Sequence, residues 1–127
     1  MSFDLAVWYP HVRLSDDEAA TAYRKLCEGE KPDVIGPHPS VQAFYEALTS
    51  TDPEIDSLPE ERLDDCRWSC ALDRSPAHVI MSSVWSKADA TMQLVGELAQ
   101  RHGLVLYDPQ SGVQTYPRRW LSLLRRR

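Results

Sequence analysis

The sequence predicts an α+β fold: a ferredoxin-like split βαβ arrangement with an antiparallel sheet of four or five strands, helices packed on one face and one inserted helix. The main observation is the order of hydrophobic periodicities along the chain, which reads strand, helix, helix, strand, strand, helix, strand. A second observation is size, because 127 residues with 43% hydrophobic and 26% charged side chains fit one domain. We assign this domain to residues 1–117 and treat residues 118–127 as a basic tail. The split βαβ pattern usually places the first and third strands in the centre of the sheet.

The first strand and the first helix have the clearest local signals. Residues 3–9 form an apolar and aromatic run that hardly alternates and ends at Pro10, which predicts a well-buried strand. The motif Ser15-Asp-Asp-Glu18 is a capping box that starts a helix, and Gly29 can end this helix in a left-handed conformation. The apolar side chains between them recur at helical spacing: Ala19, Ala22, Tyr23, Leu26 and Cys27.

The remaining elements follow from weaker patterns. A second helix begins near Pro39 or Ser40, after a proline-rich loop. Residues 66–72 alternate apolar and polar side chains, which predicts a strand whose hairpin partner is 77–85. A third helix starts at 86–89 and ends at Gly103, and it precedes a strand at 104–107 and a short extra strand at 113–116.

Composition and charge argue against several classes of function. The formal net charge of -5 makes nucleic acid a poor partner, because polyphosphate surfaces attract basic proteins. The first ten residues lack a positive n-region and no apolar run reaches about 18 residues, so we expect neither a secretory signal nor a membrane partner. Three cysteines are too few and odd in number for a disulfide framework, which favours a reducing cytoplasm. The sequence has no glycine-rich phosphate loop and no nucleophile motif, so we expect no cofactor.

Two groups of side chains are expected at opposite rims of the sheet. In an antiparallel sheet the end of the first strand lies near the start of the third and fourth, which brings His11, His78 and His102 towards one rim. Three imidazoles can bind zinc, although their spacing is not typical of a metal site. At the other rim we expect two carboxylates and two aromatic rings, namely Asp4, Asp108, Trp85 and Tyr107. Such a group can do acid–base chemistry, and the alternative is ordinary turn and pairing roles.

The strongest functional signal is the charge between residues 46 and 65. Eight acidic residues and one basic residue, Arg62, leave a local balance of -7. Half of this window has no predicted regular structure, so it should present a flexible or projecting anionic surface. One interpretation is a solvated loop that keeps the protein soluble, and the other is a docking surface for a basic protein, since complementary fields speed encounter. For docking, the predicted partner-binding residues are Asp52, Glu54, Asp56, Glu60, Glu61, Asp64 and Asp65.

The C-terminal tail has the opposite charge. Residues 118–127 carry five Arg and no acidic residue, so residues 1–117 have a balance of -10. The tail is predicted to be a short amphipathic helix that begins at Pro117. It can dock on its own sheet or on a second subunit of a homodimer, lie on an anionic membrane, or fold back on the acidic window, and we favour docking on protein. The predicted contact residues are Arg118, Arg119, Trp120, Leu121 and Leu124.

Three motifs carry a resemblance to a known family. They are SFDLAVW at residues 2–8, SSVWSKA at 82–88 and HGLVLYDPQ at 102–110. Over about residues 2–117 the chain resembles a family of small uncharacterised bacterial proteins in which these motifs occur in the same order. Those proteins are similar in size and acidity to immunity proteins of polymorphic toxin systems. The resemblance therefore implies a protein that binds and neutralises a toxin, while the tail lies outside the pattern.

The leading hypothesis is thus a non-enzymatic, cytoplasmic binding protein whose acidic surface covers the basic substrate site of a toxin, for example a nuclease. Two alternatives remain open. The first is a small enzyme or metal-binding domain that uses one of the two rims. The second is a homo-oligomeric structural module that assembles through the tail.

Overall fold

The first strand, β1 (Phe3–Trp8), lies in the middle of a five-stranded antiparallel sheet. The computed structural model describes residues 2–118. The sheet order is β2-β3-β1-β4-β5. The other strands are β2 (Asp73–Ser75), β3 (His78–Ser83), β4 (Val105–Asp108) and β5 (Val113–Thr115).

This sheet confirms the predicted α+β class and its antiparallel strands. β1 pairs with β3 on one side, with Leu5 opposite Met81, and with β4 on the other, with Val7 opposite Leu106. The first and third strands are therefore neighbours near the centre, as the split βαβ pattern predicts. β5 is the extra strand and pairs with β4 at one edge.

Three helices connect the strands: α1 (Asp16–Cys27), α2 (Pro39–Thr51) and α3 (Ala88–His102). The Ser15 hydroxyl accepts from the Glu18 N–H, and the Glu18 carboxylate accepts from the Ser15 N–H, so the predicted capping box is confirmed. These hydrogen bonds lower the pKa of Glu18. Gly103 ends α3 with a φ of 70°, a left-handed conformation that a side chain disfavours. Within residues 2–118, no helix is both long and apolar enough to cross a membrane.

The two faces of the sheet carry separate hydrophobic cores. On one face Leu5 and Val7 pack with α2 and α3, and on the other Ala6 and Trp8 pack with α1. The expectation that the helices share one face therefore holds for α2 and α3 and is corrected for α1. The reason lies in β1, where consecutive residues are buried, because a strand that is apolar on both sides needs a covering layer on each.

The predicted strand at 66–72 is also corrected. β2 begins only at Asp73, and in residues 66–72 a single isolated bridge joins Trp68 to Ser83. The alternating pattern has another origin, since Cys66, Trp68 and Leu72 insert into the core from an irregular segment. Cys66 and Cys70 consequently do not share a face, because Cys66 is buried and Cys70 is exposed.

Candidate functional site

The acidic window forms a defined segment between α2 and the buried Trp68. Two short 3₁₀ turns, Ile55–Ser57 and Glu60–Asp65, occupy most of residues 52–65, which we call the acidic segment. Ile55 and Leu58 pack against the core of the α2 and α3 face. The segment is therefore held against the domain by apolar contacts, whereas the sequence predicts a flexible or projecting surface without regular structure in half of the window.

Two of the predicted partner-binding carboxylates are used inside the protein. Asp52 Oδ1 accepts from Arg67 Nε at 3.1 Å, in an ion pair that is mostly shielded from solvent. Glu54 accepts from the Tyr45 hydroxyl at 2.7 Å and from the Leu72 N–H at 2.8 Å, one bond on each carboxylate oxygen. The bond to Glu54 raises the pKa of Tyr45. We assign Asp52 and Glu54 to holding the segment in place, since hydrogen bonds to charged groups are among the stronger ones in proteins.

A buried polar network extends this attachment into the domain. Arg67 Nη1 donates to Thr91 Oγ1 at 3.1 Å, and Thr91 shares a 2.9 Å hydrogen bond with Ser83. Both hydroxyl residues are fully buried, on α3 and β3 respectively. The beginning of the acidic segment is thus joined through Asp52 and Arg67 to the centre of the fold.

The end of the acidic segment is attached as well. Lys87 Nζ donates to the backbone oxygen of Asp65 at 2.7 Å. Trp68, only 1% exposed, donates its indole N–H to the backbone oxygen of Asp52 at 2.9 Å and so closes the segment back on its own start. Anchors at both ends fix the position of the carboxylates between them.

The other five carboxylates are exposed, and within residues 2–118 none of them accepts a side-chain hydrogen bond or forms an ion pair. Leu63 lies among them with 40% of its surface exposed. Leu63 was not predicted from the sequence, where its only signal is that one apolar residue stands between charged residues. We call this group the acidic face; it consists of Asp56, Glu60, Glu61, Leu63, Asp64 and Asp65.

A second exposed apolar residue, Trp85, starts the short 3₁₀ turn Trp85–Lys87. Trp85 is 48% exposed and packs on Phe3 with 5.4 Å between ring centroids. Because Lys87 of the same turn binds the backbone of Asp65, Trp85 belongs to the element that borders the acidic face. The structure thus places it beside Phe3, at the start of β1.

The three histidines of the first rim have separate surroundings. His11 Nε2 is 3.1 Å from the Gly36 carbonyl oxygen, and His102 lies edge-on to Phe44 at 6.4 Å. His78 is buried beside Ser75 and Asp73 of β2. In the described part of the chain, no three or more His, Cys, Asp or Glu residues are grouped so that they could hold a metal ion.

The structure brings Asp4 and Asp108 to the opposite rim, where Gln110 joins them. Gln110 Oε1 accepts from the Asp4 N–H at 2.7 Å, and its amide nitrogen donates to the Asp4 carbonyl oxygen and to the Asp108 carboxylate. The second Asp108 oxygen accepts from Ser111 at 2.9 Å. These contacts tie the turn after β4 to the backbone of β1 through the Asp108 carboxylate. The Asp4 carboxylate accepts from the Ser2 hydroxyl at 2.7 Å.

The predicted tail contacts are described only at their start. The Arg118 N–H donates to Gln100 Oε1 of α3 at 2.9 Å. Arg119, Trp120, Leu121 and Leu124 lie outside the described residues.

No protein-family model matches this chain, and neither the curated proteins nor the solved structures give a match. The resemblance carried by residues 2–8, 82–88 and 102–110 therefore stays a prediction. Function has to be argued from the acidic face itself.

Proposed function

We propose that this chain is a non-enzymatic protein-binding module that binds a basic partner through its acidic face. In its most specific form it is an immunity-type protein of the bacterial cytoplasm, which neutralises a toxin by covering the toxin's basic substrate site. The observation that carries the proposal is the set of five exposed carboxylates without partners in residues 2–118, held on a segment that is anchored at both ends.

Like charges brought together repel one another, so five carboxylates that Arg62 and Lys87 compensate only in part disfavour the folded state. The negative electrostatic field of these carboxylates attracts a basic surface over a Debye length of about 10 Å. This attraction speeds association with a basic partner. A loop needed only for solubility would carry its charge equally well without a buried tryptophan and a buried polar network at its base. The anchoring is what supports recognition, because a fixed array of charges binds with less loss of conformational entropy.

Leu63 and Trp85 supply the apolar part of the proposed contact. Stable protein interfaces have an apolar centre that is surrounded by polar groups, and tryptophan is enriched among the residues that dominate binding energy. Leu63 lies within the run Glu60–Asp65, which carries four carboxylates. A concentration of negative charge is also what a nuclease binds at its basic site, where its ligand is a phosphate backbone.

The test of this proposal uses the product of the gene adjacent to the one that encodes this chain. That product is expressed in a bacterial host with the wild-type chain or with the triple variant Glu60→Lys, Glu61→Lys, Asp64→Lys. We expect growth with the wild type and growth arrest with the triple variant, because the variant reverses three charges of the acidic face.

A matched control reverses the same number of negative charges at exposed sites outside the acidic face. It combines the substitutions Glu28→Lys, Asp33→Lys and Glu97→Lys, so its net charge equals that of the triple variant. We expect growth with this control, which separates the position of the charges from their number.

Binding of the purified pair gives the second readout. We expect the triple variant to weaken the Kd by at least about a hundredfold, from the loss and reversal of several charge contacts. The wild-type affinity should fall steeply as salt is raised. Full protection by the triple variant contradicts the role of the acidic face, and an adjacent product that is neither toxic nor bound contradicts the immunity-type assignment.

A further inference from the structure

The basic tail matches the acidic face of its own chain in charge and in apolar character. Residues 118–127 carry five Arg and no acidic residue, and they include one Trp and three Leu. The acidic face carries five carboxylates, with Leu63 among them and Trp85 at its border. Opposite charges around an apolar centre are the usual composition of a specific protein contact.

The tail begins at one end of α3, and the acidic face lies at the other end. The Arg118 N–H donates to Gln100 Oε1 at 2.9 Å, and Gln100 Nε2 donates to the Tyr116 carbonyl oxygen at 3.2 Å. These bonds fix residue 118 beside the last turn of α3. Just before the first turn of the same helix, Lys87 binds the carbonyl oxygen of Asp65. α3 therefore connects the start of the tail with the acidic face.

The length of α3 decides which form of the tail reaches that face. An α-helix rises about 1.5 Å per residue, so about 20 Å separate Lys87 from Gln100. An extended chain covers about 3.3 Å per residue, which brings residues 125–127 about 23 to 30 Å from Arg118. In a helix the same residues reach only about 14 Å from Arg118. The arginines at 125–127 therefore reach the acidic face of their own chain only if the tail is extended.

The solvent side of α3 attracts a cationic segment along this route. Asp89, Gln93 and Glu97 are exposed and recur every four residues, on the side of the helix opposite the buried Thr91. Among the described residues neither Asp89 nor Glu97 forms an ion pair. A basic chain that starts at Gln100 thus meets uncompensated carboxylates on its way to the acidic face.

We propose that the tail binds in extended form along α3 and places Arg125, Arg126 and Arg127 on the acidic face of the same chain. The tail is then an internal occupant that a basic partner has to displace. Tethering favours the same chain over a second copy, because a short linker gives an effective concentration in the millimolar range. This proposal rests on the proposed function, since it concerns the regulation of the same face.

The test compares amide NMR spectra of the wild-type chain and of the full-length tail variant Arg126→Glu, Arg127→Glu. The matched control Lys25→Glu, Lys31→Glu changes the net charge equally at exposed sites in and after α1. At low salt we expect the tail variant, but not the control, to shift the amides of residues 60–65 and 89–97. Raising the salt from about 0.01 M to about 1 M shortens the Debye length from about 30 Å to about 3 Å and should abolish this difference. Unchanged amides at 60–65 in the tail variant overturn the proposal.

A hexa-arginine peptide serves as the probe for a basic partner. We expect the tail variant to bind this peptide at least about tenfold more tightly than the control variant, because its tail no longer competes. Equal affinities overturn the competition.

Sedimentation equilibrium of the wild-type chain identifies which copy the tail occupies. We expect a monomer mass and amide positions at 60–65 that do not depend on protein concentration. A dimer mass that the tail variant abolishes assigns the tail to a second copy and overturns the proposal.

The product of the adjacent gene takes no part in these measurements. If that product is neither toxic nor bound, the proposed function fails and the amide comparison is unaffected. If the amides show no contact with the tail, this proposal fails and the growth test is unaffected. The two failures are therefore distinguishable.

Discussion

The two parts of the acidic segment carry the same kind of side chain and use it differently. Asp52 and Glu54, at its start, are bonded to Arg67, Tyr45 and Leu72. The five carboxylates of the acidic face, a few residues later, have no such partner in the described part of the chain. A count of charge along the sequence treats all seven alike, whereas the structure separates carboxylates that hold the segment from carboxylates that are available to a partner.

This difference has an energetic meaning. A carboxylate that receives two good hydrogen bonds is oriented and stabilises the fold, so its removal costs folding free energy. Exposed carboxylates without partners contribute little to stability, and neighbours of equal charge oppose it. Charged residues that lower the stability of the folded state are typical of functional surfaces. The predictions below test the separation between the two parts.

The largest effect is expected from Trp68→Ala, which removes the buried anchor at the base of the segment. Loss of a fully buried indole costs about 3–5 kcal/mol of unfolding free energy, and the bond to the Asp52 carbonyl oxygen is lost with it. Trp85→Ala is the matched control. Because Trp85 is half exposed, its replacement should lower the free energy of unfolding by about 1 kcal/mol or less. Urea unfolding followed by far-UV circular dichroism measures both, and equal costs would show that Trp68 anchors nothing.

A smaller effect is expected from Glu54→Ala. The substitution removes the acceptor of two hydrogen bonds and leaves the Leu72 N–H without its partner, at a cost of about 2–3 kcal/mol. Asp56→Ala, two residues later and exposed, should change stability by about 0.5 kcal/mol or less. The same urea titrations measure these two variants. The distinction between the two parts of the segment fails if Asp56→Ala costs as much as Glu54→Ala.

The smallest effect is expected on the pH dependence of stability, which comes from two histidines outside the acidic segment. Burial lowers the pKa of His78 below its usual 6.5, and burial with the neighbouring Arg101 lowers that of His102. The unfolded chain then binds protons that the folded chain does not, so stability is full above about pH 6.5 and is lost as pH falls through the window below it. The slope is at most about 1.4 kcal/mol per pH unit for each histidine.

Urea unfolding between about pH 7 and pH 5.5 measures this slope. His78→Gln should flatten it, and Asp56→Asn serves as the control that leaves it unchanged, because Asp56 forms no ion pair with either histidine among the described residues. Asp73, which faces His78, opposes the lowering, so Asp73→Asn should make the slope extend to lower pH. If stability rises as pH falls through this window, the pKa of His78 is not lowered in the folded chain and the prediction is wrong.

Much of the fold could be predicted because its signals are local. The capping box at Ser15 and Glu18 joins residues three apart, and Gly103 ends α3 through contacts with the preceding turn. The apolar run of β1, interrupted by Asp4, correctly predicts a well-buried strand. The alternating pattern of residues 66–72 gave a wrong prediction of a strand. An irregular segment that inserts every second side chain into the core can show the same period as a half-buried strand.

The candidate site could be predicted only as a region. Charge located the acidic window, but the contribution of Leu63 depends on its exposure, which no local pattern reveals. The rim prediction brought Asp4 and Asp108 together correctly, and it could not show that Gln110 would bind the Asp4 backbone and the Asp108 carboxylate. The burial of His78 Nε2 without a hydrogen-bond partner among the described residues has no signal in the sequence.

By itself the sequence determined where α1 and α3 begin and end, the burial of β1, and the position of the acidic window. Each of these rests on side chains within a few residues of one another. Tertiary structure alone decided which face α1 covers, which carboxylates are bonded, and that His78 Nε2 is buried without a partner among the described residues. These outcomes depend on contacts such as Glu54 with Leu72, 18 residues apart, and Leu14 with Tyr116, 102 residues apart. Side-chain chemistry sets which bonds are possible, and the packing of the sheet selects the ones that form.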